Sequence, residues 1–252
     1  MRSLTRANGK APGLATRLLE EAISISARHA RSEMPDTAIT TDAARFTEHY
    51  LGEFDAEHAG DLRAARTRAE DLGLTCVSRQ VASLLELLAA SIQAQAIIEI
   101  GTGTGISGAA LLEGMKAGGV LTSIDLEAEY QRNSKELFSS LGFESNRTRL
   151  IAGRALDVLP RLSDSAYDLI FIDADPGEYP AMLNQAKRLL RIDGLVIFHG
   201  AFSTGMADPA TRDYEATAMR DIATELRTDS DWLPSLLTAG EGLFLASLRS
   251  RE

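Results

Sequence analysis

The stretch EIGTGTGIS, residues 99 to 107, places Gly101, Gly103 and Gly105 at alternate positions directly after an apolar run. Glycines so spaced let the backbone turn tightly and approach a ligand, and the N–H groups of the turn that follows can hold a polar group. The chemistry is that of a small-molecule site. Gly103, Gly105 and Gly108 also satisfy the dinucleotide spacing G-x-G-x-x-G, but that frame starts two residues beyond the apolar strand. Glu99, beside the glycines, suits a cationic aminoacyl group or a hydroxyl donor and sits awkwardly near a pyrophosphate. Asp125 ends the next apolar run and is placed to accept ribose hydroxyls of either cofactor. Charge therefore favours a sulfonium nucleoside over a dinucleotide.

A second centre lies further along. GLVIFHGAFSTG, residues 194 to 205, is an apolar run that stops at His199 and Gly200. An imidazole at the carboxyl end of a strand is a catalytic base, a metal ligand or the point where the strand meets water. YDLIFID carries Asp173 from a buried strand to the same edge, where open α/β sites lie, and Asp175 follows in the loop. In the loop after His199, Phe202 and Met206 offer an apolar wall and Gly205 permits rearrangement. Tyr179 either contacts an aromatic acceptor or packs against Leu183.

The elements that must position these residues are legible as periodicities. Gly9, Pro12 and Gly13 among polar residues predict a mobile lead over 1–13, and helical segments are expected over 14–30, 41–50, 54–71 and 78–91. In the last, Val81, Leu84, Leu85 and Leu88 recur at helical spacing and must pack on something large. AIIEI, VLTSID, RTRLIAG, YDLIFID and GLVIFHG then alternate with segments of helical length, which calls for a parallel sheet covered on both faces. After a long helix near 209–227, LPSLLTAG and GLFLASL are separated by Glu241 between two glycines, too short a link for a crossover, so they pair antiparallel. The expected fold is α/β: seven strands, mostly parallel with one antiparallel, helices on both faces, and an N-terminal helical extension. Residues 1–70 form the lead and flanking helices, and 71–252 the ligand-binding domain, as one compact unit.

Composition narrows the partners. With 26 Lys and Arg against 36 Asp and Glu, the net charge of -10 disfavours a large phosphate-neutralising surface, so nucleic acid is not the expected partner. No stretch approaches the ~20 apolar residues that cross a bilayer, and the N-terminus lacks the pattern of a secretory signal. A soluble, cytoplasmic protein is expected, with no membrane partner. Cys76, the single cysteine, rules out an intrachain disulfide and reads as a small buried hydrophobe. His29, His49 and His58 show no metal-like spacing and read as surface residues, and Trp232 as a packing anchor or dimer contact.

EIGTGTGIS, LTSID, AGRALDVLP, YDLIFIDAD and RLLRIDGLVIFHG, closed by GEGLFLASL, resemble in that order the class I S-adenosylmethionine-dependent methyltransferases, with their Rossmann-like sheet. More closely they resemble the small-molecule O-methyltransferase family that contains the catechol and caffeoyl-coenzyme A enzymes. The resemblance runs over about residues 70 to 248. It implies that Gly101, Gly103 and Gly105 line the methionine portion of S-adenosyl-L-methionine, with Ser107 holding its polar end and Glu99 close by. Asp125 takes the ribose, the turn of Gly153, Arg154 and Ala155 lies by the adenine, and LTCVS, which contains Val77, folds over the cofactor. Arg154 stands where many relatives have an acid and either stacks on the adenine or points to solvent. Relatives are commonly homodimers.

In metal-dependent relatives an aspartate at the position of Asp173 and an Asp-Asn pair after the next strand hold one divalent cation. Here His199 and Gly200 replace that pair, and Pro176 stands where a lysine is often found. Magnesium wants hard oxygen ligands, so a magnesium site is not expected; a softer metal could accept His199, Asp173 and Asp175. Without a metal, His199 is the leading general base, oriented by Asp173. The expected activity is O-methylation of a small aromatic or hydrophobic hydroxylated acceptor. A cofactor-binding regulatory or structural protein with a degenerate second site, and a nicotinamide-dependent oxidoreductase, are the competing readings.

Overall fold

The computed structural model describes residues 46–51 and 58–249. The lead over 1–13, the helix expected over 14–30 and the first parts of the next two expected helices lie outside the described residues. The chain divides into two compact units, Met1–Thr47 and Glu48–Glu252, and the second holds the sheet. Among the described residues, α1 (Ala59–Asp71) and α2 (Arg79–Ser91) lead into that sheet. α2 starts where Ser78 Oγ accepts the Val81 N–H at 3.2 Å, a side-chain cap for one of the helix's free first-turn donors. Its buried face is Val81, Leu85 and Ala89, with Leu84 and Leu88 half-buried beside them.

The remainder alternates: β1 (Ala96–Ile100), α3 (Ile106–Gly114), β2 (Val120–Asp125), α4 (Ala128–Ser140), β3 (Thr148–Ala152), the short α5 (Ala155–Val158) and β4 (Tyr167–Ile172). Then come α6 (Tyr179–Leu189), β5 (Leu190–His199), α7 (Tyr214–Thr228), β6 (Trp232–Leu237) and β7 (Leu243–Leu248). The seven strands lie in the order β3-β2-β1-β4-β5-β7-β6. β1 to β5 run parallel, and β7 runs against both its neighbours, as the short link through Glu241 requires. β2 and β3 build outward on one side of β1 and β4 starts the other side, so a crevice opens beyond the carboxyl ends of β1 and β4.

Residue alternation along the strands divides the core. Ile98, Ile100, Ile170, Ile172, Val196 and Phe198 pack on the face covered by α6 and α7. Ile97, Leu169, Phe171 and Ile197 face the side of α2 and α3. Both faces are apolar, so the central strands read as nearly continuous hydrophobic runs. Trp232 is 3% exposed within the first of these cores, which makes it a packing anchor.

Three element boundaries differ from the expected ones. β5 begins at Leu190 rather than near Gly194, because Tyr167 pairs with Leu190 and Leu169 with Leu195 across an irregularity containing Asp193 at φ 65°. α7 begins at Tyr214, since Asp208 first ties a turn: its carboxylate accepts from the Ala210 N–H and its carbonyl from Thr211. β6 stops at Leu237, and the residues from there to Gly242 form the turn into β7. No helix among the described residues is long and apolar enough to cross a membrane.

Candidate active site

The crevice holds a cavity of about 350 Å³. Its floor is the loop between β1 and α3. At Gly101, φ is 92° and an added Cβ would stand 1.8 Å from the Asp173 carbonyl oxygen, so only glycine lets the ends of β1 and β4 come this close. At Gly103 a Cβ would meet nothing within 4 Å, and this residue lines the cavity. Gly105 caps α3 in the left-handed conformation against Ser134. Gly108, third in the dinucleotide frame, answers a packing need instead: a side chain there would strike Phe138 at 2.7 Å.

Asp125 also lines the cavity, and its carboxylate holds the loop in shape. One oxygen accepts from the Thr102 and Gly103 N–H groups at 2.8 and 3.1 Å, and the other from Glu127 N–H at 3.0 Å. A carboxylate has about four acceptor positions, so about one is left over for a hydroxyl in the cavity.

Glu99 lies elsewhere than expected. It is fully buried beneath the loop and is not part of the cavity wall, because its side chain falls on the α3 face of β1, level with Ser123 of β2. Ser107 Oγ donates to one of its oxygens at 2.6 Å and Ser123 Oγ to the other at 2.5 Å. Burial pushes its carboxyl up to about 7; the two serine hydrogen bonds oppose that rise, and the charges of Asp173 and Asp125 add to it. Gln131 Nε2 donates to Thr102 Oγ1 at 2.9 Å, and that hydroxyl lies 2.6 Å from Ser123 Oγ, so a buried polar chain runs from α4 to Glu99. The sequence reading missed Ser123, Thr102 and Gln131. Their signal was a hydroxyl inside the buried strand VLTSID, on the face that Glu99 occupies one strand away.

The rest of the wall comes from three loops. Val77 lines it with 2% exposure, and its carbonyl accepts from Arg66 of α1 at 2.7 Å. Cys76 lines it too, half-buried with Sγ 3.6 Å from Thr104 Oγ1. The first contact ties the 74–77 loop to α1 and the second ties it to the glycine loop. Gly153, Arg154 and Ala155 close the far end. Arg154 is ion-paired with Glu178, which also lines the cavity, and this carboxylate raises the guanidinium's pKa. Sequence reading did not single out Glu178.

Asp173 and Asp175 line the cavity at the end of β4, while His199 stands beside Asp173, outside that wall. Ile172 is level with Phe198, so Asp173 and His199, one residue further on parallel strands, project to the same face and meet. His199 Nδ1 lies 2.9 Å from Asp173 Oδ1. Burial by itself would lower the imidazole's pKa, but the Asp173 hydrogen bond and charge, helped by Glu241, override it and hold the ring above its ordinary value. Nδ1 bonded to a carboxylate is the protonated nitrogen, which leaves the lone pair on Nε2. His199 is 5% exposed and packs near Phe171, with ring centres 6.3 Å apart.

The atoms that would have to hold a divalent cation are partly engaged already. Asp173 and His199 spend their facing atoms on each other, Asp175 Oδ1 accepts the Gly177 N–H at 2.9 Å, and Gly200 has no side chain. Among the described residues no three His, Cys, Asp or Glu side chains gather as a metal-holding group. Of the two roles expected for Tyr179, packing is the one found: it is 1% exposed in the same core as Leu183, absent from the cavity wall, and its hydroxyl is engaged between β4 and β5.

Comparison with known proteins agrees with this geometry. An O-methyltransferase family model matches residues 52–249. A Mycobacterium leprae protein named as an O-methyltransferase is 44% identical over 213 residues, covering 84% of this chain and 94% of its own. One from Mycolicibacterium smegmatis is 47% identical over 186 residues, 73% of this chain and 89% of the relative. Among solved structures, the O-methyltransferase TomG of Streptomyces achromogenes, in complex with S-adenosylmethionine, superposes with a TM-score of 0.71 at 27% identity. That match spans 76% of this chain and 90% of TomG. A Corynebacterium glutamicum protein gives 0.72 at 29% identity, over 81% and 98% of the two chains. A family match across most of the chain, on a sheet of this order with a glycine loop at its crevice, makes this chain a member of the O-methyltransferase family of S-adenosylmethionine-dependent enzymes.

Proposed function

We propose that the chain methylates a hydroxyl of a small aromatic or hydrophobic acceptor, with His199 as general base, Asp173 as the group that orients it, and no metal. The observation that carries this reading is the 2.9 Å contact of His199 Nδ1 with Asp173, beside the cavity and with Nε2 left basic. S-adenosylmethionine supplies an electrophilic methyl carbon on a sulfonium. The backbone of Gly101 and Gly103 holds its methionine portion, with Ser107 at the polar end. Asp125 accepts a ribose hydroxyl through its remaining acceptor position, the Ala155 amide reaches an adenine nitrogen, Arg154 and Glu178 close over that end, and Val77 covers the cofactor.

His199 Nε2 takes the acceptor's hydroxyl proton as the oxygen attacks the methyl carbon in line; the carbon–sulfur bond breaks with its electron pair going to sulfur, and S-adenosylhomocysteine leaves. Asp173 stabilises the imidazolium so formed. Positioned proton removal contributes about 10² to 10⁴ in rate, and alignment in a closed site adds to it.

The burial of His199, at 5% exposure, favours a second reading in which the protein binds the cofactor without transferring its methyl group. A panel of catechols, phenols and hydroxylated heterocycles, assayed for acceptor-dependent S-adenosylhomocysteine after removal of metals by a chelator, separates the two. Turnover that survives chelation and is lost in His199→Gln supports base catalysis. Tight cofactor binding with no acceptor across the panel supports the binding protein, and turnover restored only by added metal removes the metal-free mechanism.

A further inference from the structure

β4 and β5 are paired in register as far as Ile172 and Phe198. The Asp173 N–H points to the other side and donates to the Ile100 carbonyl at 2.8 Å. In a parallel ladder successive N–H groups alternate sides, so the next bond from β4 to β5 belongs between the Ala174 N–H and the His199 carbonyl. That N–H instead donates to the Tyr179 hydroxyl at 3.2 Å, and the hydroxyl donates to the His199 carbonyl at 3.4 Å. A phenol oxygen thus stands in the ladder where a direct bond would close it, spanning the two strand ends as a bridging water does.

The hydroxyl is held there from behind. Tyr179 is the first residue of α6, is 1% exposed, and packs its ring on Phe198 with 5.2 Å between ring centres. Burial, then the charge of Asp173, keeps the phenol protonated, opposed by the Ala174 hydrogen bond. The two backbone groups it joins belong to His199 itself and to the residue after Asp173.

We infer that Tyr179 is a positioning residue: by replacing one ladder bond between β4 and β5 it sets the separation at which Asp173 and His199 meet. The inference rests on the base reading for its catalytic meaning, but its geometry is measurable without turnover. The protein labelled with ¹⁵N-histidine reports the His199 ring directly at alkaline pH, with the signal assigned by its loss in His199→Gln. The wild type should show the tautomer protonated on Nδ1, and Asp173→Asn should show mixed tautomers, because an amide can either accept from Nδ1 or donate to it. Tyr179→Phe, which keeps the aromatic ring in the core, should resemble Asp173→Asn while binding S-adenosylmethionine within about twofold of wild type. A Tyr179→Phe ring spectrum like that of wild type would overturn the inference.

A wild-type spectrum already like that of Asp173→Asn would remove both the pair and its positioning residue, whereas undiminished turnover in His199→Gln ends only the base reading. If Tyr179→Phe fails to fold, the wild type still decides. A through-hydrogen-bond coupling between Ala174 N and the His199 carbonyl carbon means that the ladder bond is closed and the inference is wrong; its absence, with the Ala174 N–H protected from exchange, supports the inserted hydroxyl.

Discussion

Ser107 Oγ donates to Glu99 Oε1 at 2.6 Å, so the helix that follows the glycine loop is tied to the strand that precedes it through one buried carboxyl. The loop is thereby held at both ends, by Glu99 from below and by the Asp125 carboxylate on its amides. Glu99 braces the cavity's floor from beneath.

Its titration has a measurable sign. The carboxyl is raised from 4.5 to about 7 in the folded chain, so between those values the folded state holds a proton that the unfolded state has released. Its contribution to stability is therefore full below pH 4.5 and is lost as pH rises toward 7, by a few kcal/mol at most, on the order of 1.4 kcal/mol per pH unit. Glu99→Gln should flatten that window in urea unfolding measured from pH 4.5 to 7.5. An unaltered slope would assign the dependence to other carboxyls.

Gly101→Ala should be far more damaging than Gly103→Ala. Both positions have positive φ, which costs a non-glycine residue about 1–2 kcal/mol, but only at Gly101 does the new methyl run into backbone, the Asp173 carbonyl. We expect Gly101→Ala to lower the melting temperature strongly and to abolish cofactor binding. Gly103→Ala should fold and bind more weakly, its methyl projecting into the cavity. Calorimetric melting and titration with S-adenosylhomocysteine give the comparison; equal effects would mean that the loop yields at Gly101.

Asp125→Asn should weaken S-adenosylmethionine binding by about tenfold to a hundredfold. The change takes a charged acceptor away from the ribose, and a hydrogen bond to a charged group is worth about 1.5–3 kcal/mol. A dissociation constant within a factor of two of wild type would contradict the placement of the ribose.

For His199 the raised pKa means that the basic form appears only as pH climbs through a value above about 6.5. The rate with any working acceptor should rise through that limb. Asp173→Asn should shift the limb to lower pH while lowering the plateau, since the partner that raises the ring is gone. The linked stability has the same origin: the bonus from the Asp173–His199 contact is present at acid pH and is lost as the ring deprotonates. A limb unmoved by Asp173→Asn would show that another group limits the rate.

Much of this was readable in the residues because it is local. A glycine run after an apolar strand, an acid at the end of the next strand and a two-glycine link before the last strand each carry their meaning within a few positions. The mostly parallel seven-stranded sheet and the meeting of Asp173 with His199 followed from that pattern and the resemblance it carries. Glu99 did not, since its burial depends on Ser123 lying level with it on another strand. Tyr179 was read as a neighbour of Leu183 or of an acceptor, because its hydroxyl's partners are set by the register of β4 and β5. The start of α7 was placed too early because the Asp208 turn competes with helix over the same residues.

Cys76 gives the cavity its own label. It is the chain's single cysteine and half-buried in the wall that the cofactor should touch. A thiol-reactive dye therefore marks one position in every molecule, and its rate of attachment should slow as the cavity fills. Occupancy can be followed on the unmodified sequence, with no acceptor in hand and no reporter introduced.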